Sequence, residues 1–305
     1  MIHGLADLKK EFAMDAIERM SVRTMLISDV HLGNKHAQAK EFLQFLVGFA
    51  PETVYIVGDF IDGWKINSGW HWCESCDAII DHLIALAESQ TKIFYIPGNH
   101  DSFLRNPAFR SILPGKLPEF EVANEVVFES LSGYRFLVTH GDRFDFFETR
   151  AQWVSKAAGR IYGNCLSLNG YLHRLLPRRH GNPYGFCAHL KDRVKRGVRF
   201  ISNFENQIMR HAQVRACHGV ICGHIHTPDI VHSSSKLYCN TGDWMENCTG
   251  LVEHHDGNIE LVSRYSSNRN LCLTDATQGH VSAGEGISEL KDQFSEDVSR
   301  NGLFA

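Results

Sequence analysis

The chain has no apolar run approaching the roughly 20 residues that cross a bilayer as a helix. Its start, broken by Lys9, Lys10 and Glu11, lacks the continuous apolar core of a secretion signal. A cytoplasmic protein is therefore expected. Charge of one sign is also scarce: the formal net charge is −4 over 305 residues, 43% of them apolar. That balance excludes a fibre or a disordered tail and fits a soluble protein of one large or two modest domains. No internal repeat is apparent.

Paired cysteines are wanting too. The nine cysteines are an odd number. Most sit in or beside apolar strand-like runs, as Cys222 and Cys239 do, where reduced cysteine behaves as a small hydrophobe. Cys73 and Cys76 form a single C-x-x-C. Neither the second pair that a zinc site wants nor a thioredoxin-like setting is visible around them.

What is present is a regular text. Thr24–Ile27, Thr53–Val57, Lys92–Ile96, Phe136–Val138 and Gly219–Cys222 are short apolar runs rich in β-branched and aromatic residues, and read as buried strands. Phe42, Leu43, Leu46 and Phe49, then Ile79, Ile80, Leu83, Ile84 and Leu86, recur at helical spacing between the first three. The alternation implies βαβ units. Leu237–Cys239, Leu251–Glu253 and Ile259–Val262 follow without helices, the last two joined by Asp256-Gly257 as a hairpin turn. They predict a second, more antiparallel sheet packed on the first.

Residues 143–215 break this rhythm. Apolar positions from Trp153 to Leu175 and from Leu190 to Ile208 recur at spacings of three, four and seven, so the stretch is read as an inserted helical cap, divided near Pro177, Gly181 and Pro183. It carries 14 Lys and Arg against 4 Asp and Glu, a net of +10. Such an excess points to anionic partners. Near 190–211 the apolar stripe and the basic positions Lys191, Lys195 and Arg199 fall on different faces, as in amphipathic elements that meet acidic membrane surfaces; an ordinary cap helix with a basic exterior is the plainer alternative. The expected organisation is an arm over 1–22, a domain over 23–265 that includes the cap, and a mobile tail over 266–305.

Five segments place polar residues directly after apolar runs: Asp29-Val30-His31, Gly58-Asp59, Gly98-Asn99-His100-Asp101, Thr139-His140-Gly141-Asp142 and Gly223-His224-Ile225-His226. Loops leaving the carboxyl ends of parallel strands converge on one crevice. Carboxylates, imidazoles and an amide oxygen suit divalent ions such as Mn²⁺, Mg²⁺, Fe²⁺ or Zn²⁺. His254 and His255, after another strand, are expected to lie away from that crevice. Trp64, Trp70, His71 and Trp72 are candidates for its wall or for the core in equal measure, and Asn240, Asp243 and Trp244 for support from behind.

In full order, D-x-H, GD, GNHD, H-G-D and G-H-x-H, the pattern resembles the calcineurin-like metallophosphoesterases over roughly residues 24–262. That resemblance implies an α/β sandwich of four layers, with two packed mixed sheets flanked by helices. It also implies two divalent ions, Mn²⁺ foremost: Asp29, His31 and His226 on the first, Asn99, His140 and His224 on the second, and Asp59 bridging. His100 would donate to the leaving oxygen or a phosphoryl oxygen, with Asp101 as its orienting partner.

The helical insertion, together with Ser28–Gly33 and Gly58–Trp64, is similar to the UDP-2,3-diacylglucosamine hydrolases of lipid A synthesis. His100 stands where the best-known branch of that group has Arg, so the second branch is the nearer likeness. This implies attack on a diphosphate of an amphipathic, lipid-linked nucleotide, with Lys195 and Arg199 as substrate contacts and peripheral association with an acidic membrane surface. A soluble phosphatase or phosphodiesterase on nucleotides or phosphoproteins is the alternative. A non-catalytic membrane or nucleic-acid adaptor is the third reading, and nucleic acid is the least favoured partner.

Overall fold

A computed structural model describes residues 19–110, 120–144, 204–233, 236–265 and 268–271. The cap positions 145–203, with Lys195 and Arg199, lie outside the described residues, as do 1–18 and 272–305.

In chain order the first half contains β1 (Met20–Ile27), β2 (Gly33–Asn34), α1 (Ala39–Val47), β3 (Phe49–Val57), β4 (Trp70–His71), α2 (Glu74–Glu88), β5 (Lys92–Ile96) and α3 (Pro107–Arg110). Next come β6 (Phe120–Val122), β7 (Val126–Glu129) and β8 (Arg135–Val138). After the insertion follow α4 (Phe204–Val214), β9 (Gly219–Cys222), β10 (Asp229–Ser233), β11 (Lys236–Asn240), β12 (Thr249–Glu253), β13 (Ile259–Ser263) and β14 (Arg269–Leu271). Two larger sheets result, with strand orders β14-β13-β12-β1-β3-β5-β6 and β10-β11-β9-β8-β7.

The period-2 alternation of the strands divides the core. On β1, Met25 and Ile27 face α1 and α2, which bury Phe42, Leu43, Leu46, Ile79 and Leu83 against them. Leu26 faces the other way and meets Val138, Ile221 and Leu251 between the two sheets. On the far side, α4 lays Phe204, Ile208 and Ala212 on Leu137, Val220 and Tyr238. The order helix, sheet, sheet, helix gives the four-layer α/β sandwich that was expected.

Several expectations need correction. β12 and β13 belong to the first sheet, because β12 pairs antiparallel with β1, setting Leu26 against Leu251; only β11 joins the second, beside β9. β8 and β9 run parallel to each other in that second sheet. Phe49 opens β3 rather than ending α1, since the helix stops at Gly48. β1 begins at Met20, within the stretch assigned to the arm; its first residues are exposed polar and apolar in turn, which hid them from an apolar-run criterion. β14 pairs with β13 at positions placed in the tail, held by backbone bonds in a polar text. Within the stretch read as the cap, α4 packs directly on the second sheet.

Candidate metal centre

β1 and β3 carry their last apolar residues to the same edge of the first sheet, while β8 and β9 do so in the second. The loops that follow deliver Asp29 and His31, Asp59, His140, and His224 and His226. Their backbones do not stay extended. Asp29, His31, Asp59, His224 and His226 all adopt positive φ between 48° and 65°. These are five of the eight non-glycine residues with positive φ among those described. The conformation costs of order 1–3 kcal/mol at each residue and is held only where the surroundings dictate it. Here it curls the loop after β1 so that Asp29 and His31 both reach the cluster.

The surroundings are tight. Asp29 N donates to Gly58 O and His31 N to Asp59 O, each at 2.9 Å, locking the loops after β1 and β3 together. A Cβ on Gly98 would stand 2.2 Å from Asp59 Oδ1 and 2.7 Å from the His140 ring. Only glycine permits that approach.

Donor atoms converge inside this frame. Ligand atoms of Asp29, His31 and His226 lie within 4.8 Å of one another, and so do those of Asp29, Asp59 and His140, and of His31, Asp59 and His100. Asp29 Oδ1 is buried and lies 2.9 Å from His226 Nε2, yet makes no hydrogen bond. His140 Nδ1 stands 2.9 Å from the carbonyl of Val57, which can only accept, so Nδ1 carries the hydrogen. His140 Nε2 then faces Asn99 Oδ1 at 3.2 Å and Asp59 Oδ2 at 3.4 Å. Lone pairs aimed at a common point, with a buried carboxylate oxygen lacking a hydrogen, fit a cation.

The protonation equilibria carry the same strain. Burial pushes Asp29 up to about 6, against the pull of His140. Burial also works to raise Asp59, but His140 and His100 hold its carboxyl well below the ordinary range. His31 is driven down to about 4 by burial and by His100. Burial would lower His140, whereas Asp59 lifts it well above the usual imidazole value. An ion bound here would take over the positive charge that Asp59 otherwise favours on His140.

Beside the cluster, His100 Nδ1 donates to Asp62 Oδ1 over 2.7 Å, and its ring stacks on Trp64 with centroids 3.7 Å apart. Asp62 in turn accepts from Asn34 Nδ2 at 2.9 Å. The pair agrees in direction: burial opposes both shifts, yet Asp59 and Asp62 raise His100, while the His100 bond lowers Asp62. Asp62 is thus the partner that orients His100. The expectation that Asp101 does so is corrected, because its carboxylate is engaged by Gly98 N at 2.6 Å, Phe60 N at 2.9 Å and Tyr95 Oη at 2.5 Å. It ties the Asp59 loop to the Asn99 loop. Asp62 lies one helical turn's spacing after Asp59 on the same loop, which was the available signal.

Support from behind was foreseen in part. Trp244 N donates to Asp29 O at 3.0 Å, Asn240 Nδ2 to Gly223 O at 2.7 Å, and Asp243 gathers Met245 N and Glu246 N. Ser28 and Arg105 were missed. Ser28 Oγ bonds Asp29 Oδ2 at 2.5 Å. Arg105 Nη2 reaches both oxygens of Asp142 and the carbonyl of Pro97 at 2.8–2.9 Å, joining the loops of Asn99 and His140. Of the aromatic cluster, Trp64 walls the site, while Trp70 and Trp72 stack on each other. His254 bonds Glu260 and His255 bonds Ser21, beyond the opposite end of β1, as expected of residues remote from the crevice.

The sequence model of the calcineurin-like phosphoesterase family matches residues 22–228. The chain belongs to that family. This phosphoesterase is similar to the UDP-2,3-diacylglucosamine hydrolase of Neisseria gonorrhoeae, 24% identical over 247 residues that cover 74% of this chain and 91% of that protein. The protein of the same name from Psychromonas ingrahamii is 24% identical over 257 residues, 80% of this chain and 98% of that one. Among solved structures, the phosphoesterase Yfce of E. coli is 13% identical, covering 81% of this chain and 97% of that one with a TM-score of 0.42. The family and the two hydrolase relatives make the protein a metal-dependent phosphoester hydrolase. Among the described residues no helix is long and apolar enough to cross a membrane.

Proposed function

We propose that the phosphoesterase hydrolyses the diphosphate of UDP-2,3-diacylglucosamine, giving UMP and 2,3-diacylglucosamine 1-phosphate. The observation that carries this reading is the pair of relatives so named, each aligned over more than nine-tenths of its own length. The centre would hold two divalent ions: Asp29, His31 and His226 around one, Asn99, His140 and His224 around the other, and Asp59 between them. The donor set has oxygen and imidazole nitrogen and no thiolate, which favours Mn²⁺ over softer-site metals, with Mg²⁺, Fe²⁺ and Zn²⁺ as substitutes. When bound, such ions supply a nucleophile at neutral pH and neutralise charge on the phosphoryl oxygens.

The protein's own groups do the rest. Asp62 fixes the hydrogen at His100 Nδ1, so Nε2, 3.9 Å from Asp59 Oδ2, faces the centre. From there it delivers a proton to the leaving phosphate oxygen. Trp64 holds the imidazole from one side and shields it from water. The basic excess of 143–215, with Lys195 and Arg199, would receive the anionic headgroup and bring the protein to an acidic membrane surface. Incubation with UDP-2,3-diacylglucosamine and Mn²⁺ should release UMP. Turnover of other nucleotide diphosphates with no UMP from the lipid would remove this substrate.

A further inference from the structure

The C-x-x-C that no function absorbed occupies a specific place. Cys73 is the N-cap of α2, in an extended conformation with φ −115° and ψ 166°. Cys76 lies in the first turn, 2% exposed, with its N–H donating to Cys73 O at 2.8 Å. The two sulfurs are 3.4 Å apart. Because α2 connects the parallel strands β3 and β5, the pair stands at the head of a βαβ crossover helix, the setting that the sequence alone did not reveal.

Three features separate this pair from a structural or metal-binding one. Cys73 is half-buried while Cys76 is buried, so of the two residues Cys73 is the one with surface open to solvent. Neither belongs to any group of His, Cys, Asp and Glu that could hold an ion among the described residues, so no third ligand faces them. The other described cysteines, Cys217, Cys222, Cys239 and Cys248, are all buried.

We propose that Cys73 and Cys76 form a reversible dithiol–disulfide site that exchanges with small-molecule disulfides of the glutathione class. The Cys73 thiolate attacks one sulfur of the small disulfide, forming a mixed disulfide and releasing one thiol, which takes the Cys73 proton. Cys76 then attacks Cys73 Sγ; its proton goes to the second departing thiol. Two protein thiols are oxidised by two electrons, and one disulfide is reduced to two thiols. The sulfurs, in contact at 3.4 Å, would close to about 2.05 Å in the disulfide.

Local charge sets the direction of the poise. Glu74 and Asp77 place two carboxylates in the first turn beside the pair. Burial pushes the Cys76 thiol up to about 12, so it stays protonated until Cys73 is activated. A dithiol with little thiolate stabilisation holds its disulfide firmly once formed.

The test uses the full chain, equilibrated with oxidised and reduced glutathione, quenched in acid and alkylated. Cleavage after Glu74 should give two peptides that remain joined until reduced, and the intact protein should lose two hydrogen masses, both reversed by dithiothreitol. Cys76→Ser should instead accumulate one glutathione on Cys73, while Cys73→Ser should capture none at Cys76. Quantitative alkylation of both thiols after oxidation, or a bond mapped to any other pair, would overturn the proposal. The readout is mass alone, so it stands or falls apart from the hydrolytic reaction.

Discussion

The imidazole of His100 donates from Nδ1 to Asp62 Oδ1 over 2.7 Å. Asp62 also accepts from Asn34, so its carboxylate is held from two sides and holds the ring in turn. Asp62→Asn keeps the shape but leaves one acceptor oxygen for two donors, His100 Nδ1 and Asn34 Nδ2. It should lower kcat by roughly 10–100-fold with little change in KM or metal content. The double variant Asp62→Asn/His100→Asn should be no slower than His100→Asn alone, since the two act as a unit. Additive losses in steady-state kinetics would show that Asp62 works elsewhere.

Gly98 gives a sharper steric test. A methyl there meets Asp59 Oδ1 at 2.2 Å and the His140 ring at 2.7 Å. Gly98→Ala should retain its circular dichroism and lose most Mn²⁺ affinity and activity together. Normal metal binding in this variant would mean that Asp59 and His140 are not jointly needed.

Arg105 bonds both oxygens of Asp142, with side-chain exposures of 29% and 10%. Loss of one partner from a fully buried pair costs about 3–5 kcal/mol, and partial exposure here reduces the expected cost of Arg105→Met to about 1–2 kcal/mol. Arg105→Lys should recover more than half, because a single nitrogen makes these contacts. Urea unfolding midpoints measure both.

Burial raises Glu246 from 4.5 to about 8, so the folded protein holds its proton more tightly than the unfolded chain. The stabilisation is complete below about 4.5 and is lost as pH rises to about 8. Over that window the wild type should lose on the order of 5 kcal/mol relative to Glu246→Gln, a figure set by the size of the shift. Thermal melts of both proteins from pH 5 to 8.5 should diverge with rising pH. Parallel curves would contradict the assignment.

The layered fold was legible where burial is two-sided. Gly219–Cys222 was bounded to the residue because a strand covered on both faces is apolar throughout, and Lys92–Ile96 because only its first residue is exposed. β14 and the start of β1 escaped, since polar strand ends are defined by backbone pairing that composition does not reveal. Sheet membership escaped for a different reason. The pattern of Leu251–Glu253 identifies a strand but not its neighbour, and pairing with β1 is a tertiary choice. The cluster's identity could be read from short motifs, whereas Asp62, Ser28 and Arg105 act through contacts that close only in the folded chain. The Asp101 expectation, which rests on the family resemblance, fails because its carboxylate is turned to Gly98, Phe60 and Tyr95. In the left-handed and looping backbone of this site, neighbours in sequence point apart.

We propose a two-ion centre with Asp59 between the ions. Equilibrium dialysis of the full chain against Mn²⁺, followed by elemental analysis, measures it most directly. The account predicts two ions per chain in the wild type, with Asp59→Asn falling to one or fewer and losing hydrolysis in parallel. Binding of fewer than two ions by active wild-type protein, or an unchanged count in Asp59→Asn, would contradict it.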